Sequence, residues 1–291
     1  MISGARFELS LGSDAYPAQL AESPDPPARL YVIGSPQSLV AGLAVVGSRK
    51  ATPYGLSAAD HFASWAASAG HTVISGGAIG CDQAAHRAAL AAGGRTVAVM
   101  AGGADVAYPA GARALLQAII DGGGAVVSEH PWGTRPARWS FRTRNRIIAG
   151  LAEVLLVLEA ALPSGTFSTA EYALDAGRTL AAVPGSIFAP ECQGSNRLIV
   201  TGAHPVTDVQ DLTLLLGGDA NLDGRPALAD DRTTGDADLD TVLAAARVDP
   251  MRPEDLARHL ALDLVVVMRR LGALESRGLL ARYPTGRYGP C

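Results

Sequence analysis

The sequence has few of the residues that mark disulfide-stabilised, zinc-binding or membrane-spanning proteins. Its three cysteines, Cys81, Cys192 and Cys291, are odd in number and show no CxxC spacing, so neither a disulfide framework nor a zinc site is predicted. No apolar stretch approaches the roughly 20 residues of a membrane helix, and no positively charged start leads into an apolar run. We therefore expect reduced thiols, no membrane association and a cytoplasmic location.

Lysine and aromatic residues are also scarce, and the charge is distributed unevenly. Lys50 is the only lysine, aromatic residues make up 5% of the chain, and the net charge is −4. That net charge does not by itself indicate a nucleic-acid partner. However, one short segment without acids contains five arginines, Arg135, Arg138, Arg142, Arg144 and Arg146. A segment nearer the C-terminus instead concentrates aspartates, namely Asp219, Asp223, Asp230, Asp231, Asp236 and Asp238.

What the sequence does have is a repeated pattern of strand, turn and helix. The pattern starts at Leu43 and occurs six times, with strands of Val, Leu, Ile and Ala that show no polar alternation. Such strands are buried on both faces, which requires helices above and below a parallel sheet. We predict an α/β fold with an extended Rossmann-like, doubly wound parallel sheet in residues 41–216. Residues 1–40, which contain five prolines, are predicted to form an N-terminal arm that ends in one strand.

The C-terminal part has a different pattern. Residues 217–238 lose apolar periodicity and are predicted to form a flexible acidic linker. Residues 239–291 show three short amphipathic helices and a hairpin, which predicts a small winged-helix-like domain. Its third helix carries Arg269, Arg270 and Arg277, where such domains enter a major groove. Contact with another protein is the alternative role.

A glycine-rich turn lies in the middle of the predicted sheet, in TVISGGAIGCDQAAH from Thr72 to His86. Its three glycines, Gly76, Gly77 and Gly80, would let an anion approach the backbone in front of a helix N-terminus. The spacing is not the dinucleotide fingerprint, and packing is the other reason for such a turn. Asp82 and His86 share a helix face, but without a third ligand nearby we expect structural roles and no metal.

Two further segments carry candidate binding residues. VGSRKATPYG places Arg49 and Lys50 after the first strand, and SGTFSTAEY offers a second glycine-containing turn at Ser164. The segment from Thr134 to Gly150 is predicted to be a long loop with a short helix near Ile147. It interleaves arginines with Trp139 and Phe141 and follows Trp132. Arginines bind phosphates while aromatic rings stack on unpaired bases, which favours single strands. Core packing of the aromatics and solvated arginines are the alternative.

Read together, these segments resemble the DNA-processing protein A family of bacteria, the recombination mediators of natural transformation. The blocks that carry the resemblance are YPAQL, DPPARLYVIG, VVGSRKATPYG, SGGAIGCDQAAH, YPAGAR, SEHPWGTRP, FRTRNRIIAGL, SGTFSTA, VPGS and GSNRLIVTGA. The resemblance implies a homodimer that binds single-stranded DNA and loads a RecA-type recombinase onto strands covered by single-strand-binding protein. It implies no catalysis and no cofactor.

The candidate DNA-binding residues come from both sources. The resemblance implies Arg49, Arg138, Phe141, Arg144, Asn145, Arg146, Ser164, Gly165 and Asn196, and the residue pattern adds Lys50, Gly76, Gly77, Gly80 and Arg142. The chain departs from the family at Ile79, Cys81, Ala110 and Ala112, which removes cations. An alternative class is a Rossmann-type enzyme that cleaves nucleoside monophosphates, to which SGTFSTAEY is faintly similar through Glu171.

Overall fold

The computed structural model describes residues 2–218, 234–283 and 285–290. The chain divides into two compact units, Met1–Ala51 with Ala58–Ala220 and Thr52–Ser57 with Asn221–Cys291. Residues 219–233 of the predicted linker, and Cys291, lie outside the described residues. Within the described residues, every helix is too short or too polar to cross a bilayer.

The larger unit is built on a nine-stranded sheet. Its strands are β1 (Arg6–Ser10), β2 (Arg29–Gly34), β3 (Gly42–Val46), β4 (Val73–Ser75), β5 (Thr96–Val99), β6 (Ala125–Ser128), β7 (Ala152–Val157), β8 (Thr179–Ala182) and β9 (His204–Pro205). The spatial order is β1-β2-β6-β5-β4-β3-β7-β8-β9. All neighbours from β6 to β9 are parallel, so the predicted α/β fold with a largely parallel sheet is confirmed.

Helices cover both faces of this sheet. They are α1 (Ala18–Ala21), α2 (Pro53–Ser68), α3 (Cys81–Ala91), α4 (Arg113–Asp121), α5 (Arg138–Leu151), α6 (Thr166–Asp175), α7 (Gln193–Val200) and α8 (Val209–Leu215). Successive residues of β5 enter different hydrophobic clusters: Val97 and Val99 pack with Ile147 of α5, whereas Ala98 packs with Leu116 of α4. Burial on both faces explains why the strands lack polar alternation.

The order of the strands creates one switch point in the parallel sheet. From β3 the chain moves through β4, β5 and β6 on one side, and then returns to place β7, β8 and β9 on the other side. The connections that leave the carboxyl ends of β3 and β7 therefore run in opposite directions. A crevice opens between such connections, and it is the usual ligand position in open α/β sheets.

The predicted loop from Thr134 to Gly150 is wrong for most of its length, because Arg138–Leu151 is a helix. From Arg138 to Ala149 the sequence contains no glycine or proline, and Ile147, Ile148 and Leu151 are buried against the sheet. The helix start is closed by Ser140, whose Oγ accepts from the Ala137 amide at 3.0 Å. Packing of this apolar end outweighs the arginine-rich, loop-like composition.

The predicted arm in residues 1–40 also needs correction, because it contributes two strands and not one. β1 and β2 form an antiparallel pair, and β2 continues the sheet by pairing antiparallel with β6. Leu9, Leu30 and Val32 are buried there. Four prolines, Pro17, Pro24, Pro26 and Pro27, lie in the connection between the two strands, where they remove no hydrogen bond from the sheet.

The described part of the smaller unit, from residue 234 on, contains three helices and a two-stranded antiparallel sheet. They are α9 (Ala237–Val248), α10 (Pro253–Leu260), α11 (Leu264–Ser276), β10 (Ala281–Arg282) and β11 (Tyr288–Gly289). α9 starts inside the predicted linker because Asp236 caps it, accepting from the amides of Asp238 and Leu239. Arg270 pairs with Asp238 at 2.6 Å and is mostly buried, so it is not placed to enter a DNA groove. The winged-helix assignment itself stays a prediction.

Candidate functional site

A cleft of about 930 Å³ opens at the carboxyl ends of β3 and β7. Its walls are the loop after β3, one flank of α5 and the segment that leads from β7 into α6. A smaller hollow of about 150 Å³ adjoins it and shares Arg49, Phe141 and Arg144 with it. The cleft therefore lies at the switch point of the sheet, where this class of fold binds its ligands.

Most of the predicted binding residues meet in this cleft, although they come from distant parts of the sequence. Those that line it are Arg49, Lys50, Arg138, Phe141, Arg142, Arg144, Asn145, Ser164 and Gly165. Gly76 lines the smaller hollow. The other four, Gly77, Gly80, Arg146 and Asn196, are not part of either lining.

Phe141 contacts two side chains at the junction of the cleft and the hollow. The Arg49 guanidinium carbon lies 5.3 Å from the centre of the Phe141 ring. The Tyr108 ring lies 5.3 Å away, centre to centre, inclined by 55°, and its side chain is 48% exposed. Charge and aromatic surface are thus presented together. Sequence reasoning did not select Tyr108, although its Tyr-Pro pair stands in one of the resemblance blocks.

Arg144 is buried, and its donors are largely used inside the protein. Nη1 donates to the carbonyl oxygen of Gly76 at 2.7 Å and to that of Val99, and Nε donates to Asn145 at 3.3 Å. Burial lowers the pKa of Arg144 to about 10, so the guanidinium stays charged at neutral pH. Arg144 therefore ties α5 to the ends of β4 and β5, and its Nη1 and Nε are not open to a phosphate.

The glycine-rich turn is satisfied from within, which corrects the prediction of an open phosphate cradle. The amides of Gly76 and Ala78 donate to Oδ2 of Asp82 at 3.2 and 3.3 Å. Burial raises the pKa of the Asp82 carboxyl, and the charge of Arg144 opposes that rise. The carboxylate thus occupies the place that the sequence analysis gave to an anion.

The other two glycines of the turn serve conformation and packing. Gly77 and Gly80 have φ values of +68° and +92°, which side chains other than hydrogen rarely allow. A Cβ at Gly80 would lie 2.2 Å from the carbonyl oxygen of Ser48. The turn therefore packs directly against the backbone of the loop after β3, which carries Arg49.

Arg146 and Asn196 have structural partners away from the cleft. Arg146 donates to both carboxylate oxygens of Glu129 at 2.8 and 2.7 Å and pairs with Asp25 at 2.9 Å. Asn196 exchanges two hydrogen bonds of 3.0 Å with the backbone of Gly185. Arg146 fixes the arm and β6 to α5, and Asn196 shapes the loop after β8, so neither side chain is placed to bind DNA in the cleft.

The start of α6 contributes polar groups and one acid to the cleft. Ser164 Oγ donates to Thr166 Oγ1 at 3.0 Å, and Asn145 Nδ2 donates to Ser168 Oγ at 2.9 Å. Glu171 is exposed and lies 4.0 Å from Arg142. An exposed pair at this distance is weak, so Arg142 remains accessible to another anion.

Asp82 and His86 do not form a metal site. The Thr96 hydroxyl donates to the carbonyl of Val73 at 2.7 Å, so it accepts from His86 Nδ1, also at 2.7 Å. Burial lowers the pKa of His86 to about 3, which leaves the ring neutral. Among the described residues, no group of three or more potential ligands could hold a metal ion.

Comparison with known proteins gives consistent matches. The sequence matches the family model of DNA recombination-mediator protein A over residues 8–217. DNA processing protein DprA from Bacillus subtilis is 37% identical over 206 residues, which cover 70% of this chain and 69% of that protein. A relative from Mycobacterium tuberculosis is 46% identical over 189 residues, 64% of this chain, and this chain spans about half (48%) of that relative's length.

Two solved structures share the fold of the larger unit. DNA processing protein A from Streptococcus pneumoniae has a TM-score of 0.67 and 38% identity, and the match covers 71% of this chain and 73% of that one. The Helicobacter pylori protein has a TM-score of 0.66 and 28% identity, and covers 74% of this chain and 98% of that one. The latter structure concerns the single-stranded DNA binding mode of that protein.

Proposed function

The chain belongs to the DNA recombination-mediator protein A family, and from this premise we propose that the cleft between β3 and β7 binds single-stranded DNA. The observation that carries the proposal is the contact of Arg49 with the Phe141 ring inside the cleft. Three more exposed cations line the same cleft: Lys50, Arg138 and Arg142.

These groups fit an unpaired polynucleotide better than a duplex or a small anion. Exposed arginines bind backbone phosphates, with two parallel hydrogen bonds where geometry allows. Phe141 and Tyr108 offer rings on which bases stack, at about 1–3 kcal/mol per base. In a duplex those base faces are covered by their neighbours. Because Asp82 fills the glycine turn, the binding energy comes from side chains of the surrounding loops and α5.

We propose a role without catalysis and without a cofactor. In the alternative enzyme class, Glu171 would be the acid or base. Here that side chain is exposed and stands 4.0 Å from Arg142, which makes it a surface charge beside the cations of the cleft. Release of free base from nucleoside monophosphates, abolished by Glu171→Gln, would overturn this part of the proposal.

The cellular role that we propose is recombination mediation during DNA uptake, in natural transformation. The protein would act as a homodimer, bind strands covered by single-strand-binding protein and load a RecA-type recombinase onto them. The support for this role is the family membership and the ordered sequence blocks. The proposed location is the cytoplasm.

An electrophoretic titration with single-stranded and duplex oligonucleotides of equal length tests the binding proposal. We expect tighter binding of the single strand, with loss of that preference in Phe141→Ala. Equal binding of both substrates by the wild-type chain would overturn the assignment of unpaired bases as the ligand. Loading is tested separately, by measuring recombinase filament formation on strands pre-covered with single-strand-binding protein, with and without this protein.

A further inference from the structure

Trp139 presents a large aromatic ring to solvent next to the cleft but outside it. Its side chain is 64% exposed, and its ring makes an edge contact with His130, 5.7 Å between centres. Phe141, two positions later, lines the cleft. Residues two apart on a helix point about 200° apart. α5 therefore carries two aromatic rings on opposite flanks, one inside the cleft and one beside it.

The position of Trp139 extends the line of strand ends that forms the cleft and its hollow. Tyr108 follows β5, Gly76 follows β4 and Arg49 follows β3, and all three line these cavities. His130, the contact of Trp139, follows β6. β6 is the next strand in the sheet after β5, at a spacing of about 4.8 Å. The Trp139 ring thus lies one strand further along the same edge.

The charge around Trp139 suits a polyanion. Arg135 and Arg138 shortly precede it in the sequence and are both exposed, and the chain has no acidic residue between Glu129 and Glu153. Arg138 also lines the cleft, so the same cation lies at the edge of the cleft and next to Trp139. By contrast, Trp132 has partners within the protein. Its ring makes an edge contact with Tyr31, and its indole N–H donates to Glu8 at 3.2 Å.

We propose that Trp139 is a second base-stacking position, used by single-stranded DNA that leaves the cleft past Arg138 toward the end of β6. The inference rests on the proposed function, because it needs a strand seated in the cleft. An exposed indole beside two arginines combines ring stacking with phosphate contact, as sequence-independent single-strand sites do. Only strands long enough to reach beyond the cleft would use it.

A length series separates this position from the cleft. The two lengths are about 4 and about 16 nucleotides, the ends of the usual range of site sizes. We expect Trp139→Ala to weaken binding of the longer oligo-dT roughly tenfold and to leave binding of the shorter oligo-dT unchanged. Trp139→Phe should bind nearly as well as wild type. Phe7→Ala is the matched control, because Phe7 is a part-exposed aromatic residue on β1, and it should change neither affinity.

Tryptophan fluorescence gives a second measurement that does not depend on affinity. At saturating oligo-dT, stacking should quench the emission of wild-type protein, and Trp139→Phe should abolish most of that quenching. If Trp139→Ala bound oligo-dT of every length as tightly as the wild-type chain does, or if quenching were unchanged in Trp139→Phe, the inference would be overturned while the cleft would stay in place. A wild-type chain that binds no single strand of any length would instead overturn the proposed function.

Discussion

The guanidinium of Arg49, in the loop after β3, lies over the Phe141 ring of α5, 5.3 Å from its centre. The contact joins two distant segments of the sequence across the cleft. A cation over an aromatic face at a part-exposed site contributes about 0.5–1 kcal/mol. It also orients both groups in advance of the proposed DNA binding, which would lower the entropy lost when a strand binds.

We expect Arg49→Ala and Phe141→Ala each to weaken oligo-dT binding more than tenfold, or about 1.4 kcal/mol. Because the two side chains are in contact, the double variant should lose less than the sum of the two single losses. Fluorescence anisotropy measures the affinities, and circular dichroism checks that the variants fold. Arg29→Ala is the matched control, since Arg29 is exposed on β2 and pairs with Glu8. Normal binding by both single variants would show that the cleft is not the DNA site.

Salt dependence measures the phosphate contacts. For single strands the logarithm of the binding constant should fall against the logarithm of salt concentration with a slope of about −0.7 per phosphate contacted. Arg138 and Arg142 are exposed, so Arg138→Ala and Arg142→Ala should each make the slope shallower by about 0.7. A flat response in the wild-type chain would contradict binding of a polyanion and favour a small ligand.

Arg144→Met should destabilise the protein more than it affects DNA contacts directly. The change removes the donors to the carbonyls of Gly76 and Val99, and each unsatisfied buried group costs about 1–3 kcal/mol. We therefore expect a loss of more than about 2 kcal/mol in the free energy of unfolding, measured by urea denaturation. In the control Arg142→Met, where the side chain is 73% exposed, the change should stay within about 0.5 kcal/mol. Equal stability of the two variants would refute the structural role of Arg144.

His86 should make the protein less stable in mild acid. Its pKa is about 3 in the folded chain, against an ordinary value of 6.5, because of burial and the charges of Arg144 and Arg87. Between these values the unfolded chain binds a proton that the folded chain does not. The free energy of unfolding therefore falls as the pH drops below 6.5, by up to about 1.4 kcal/mol per pH unit.

The measurement for His86 compares urea denaturation of the wild-type chain and of His86→Gln between about pH 7 and pH 5. The variant should show the shallower dependence, whatever its absolute stability, because contributions from the carboxyl groups are common to both chains. Parallel curves would mean that His86 is not buried in its neutral form.

The sheet could be predicted from sequence because its signal is local. Uninterrupted apolar runs such as those containing Leu43 and Leu155 identify buried parallel strands, and both residues are fully buried. The first part of α5 could not be predicted as a helix, because it is rich in arginine. Only the last turn of α5, around Ile147, shows an apolar face in the sequence. Strand β1 could not be predicted because most of its residues are exposed, so it shows no apolar run. The prolines that follow it also favour an irregular arm.

Sequence reasoning selected many of the residues that line the cleft, but it did not give the role of each side chain there. Arg138, Arg144 and Arg146 look alike in the sequence, yet the first is exposed and the other two are engaged internally. The partners of Arg144 are the backbone carbonyls of Gly76 and Val99. Backbone acceptors carry no signal in the sequence, so their partners emerge only from the folded chain.

Asp82 supplies the glycine turn with an internal carboxyl group, which accepts the amide hydrogen bonds that a bound anion would otherwise accept. The hydrogen bonds from Gly76 and Ala78 to Asp82 hold the shape of the turn, so that shape does not depend on a ligand in the neighbouring cleft. Ile79, 60% exposed at this turn, stands where the resemblance to the family implies arginine. Because Asp82 holds the turn from within, we expect Ile79→Arg to change the charge at the rim of the smaller hollow and to leave the shape of the turn unchanged.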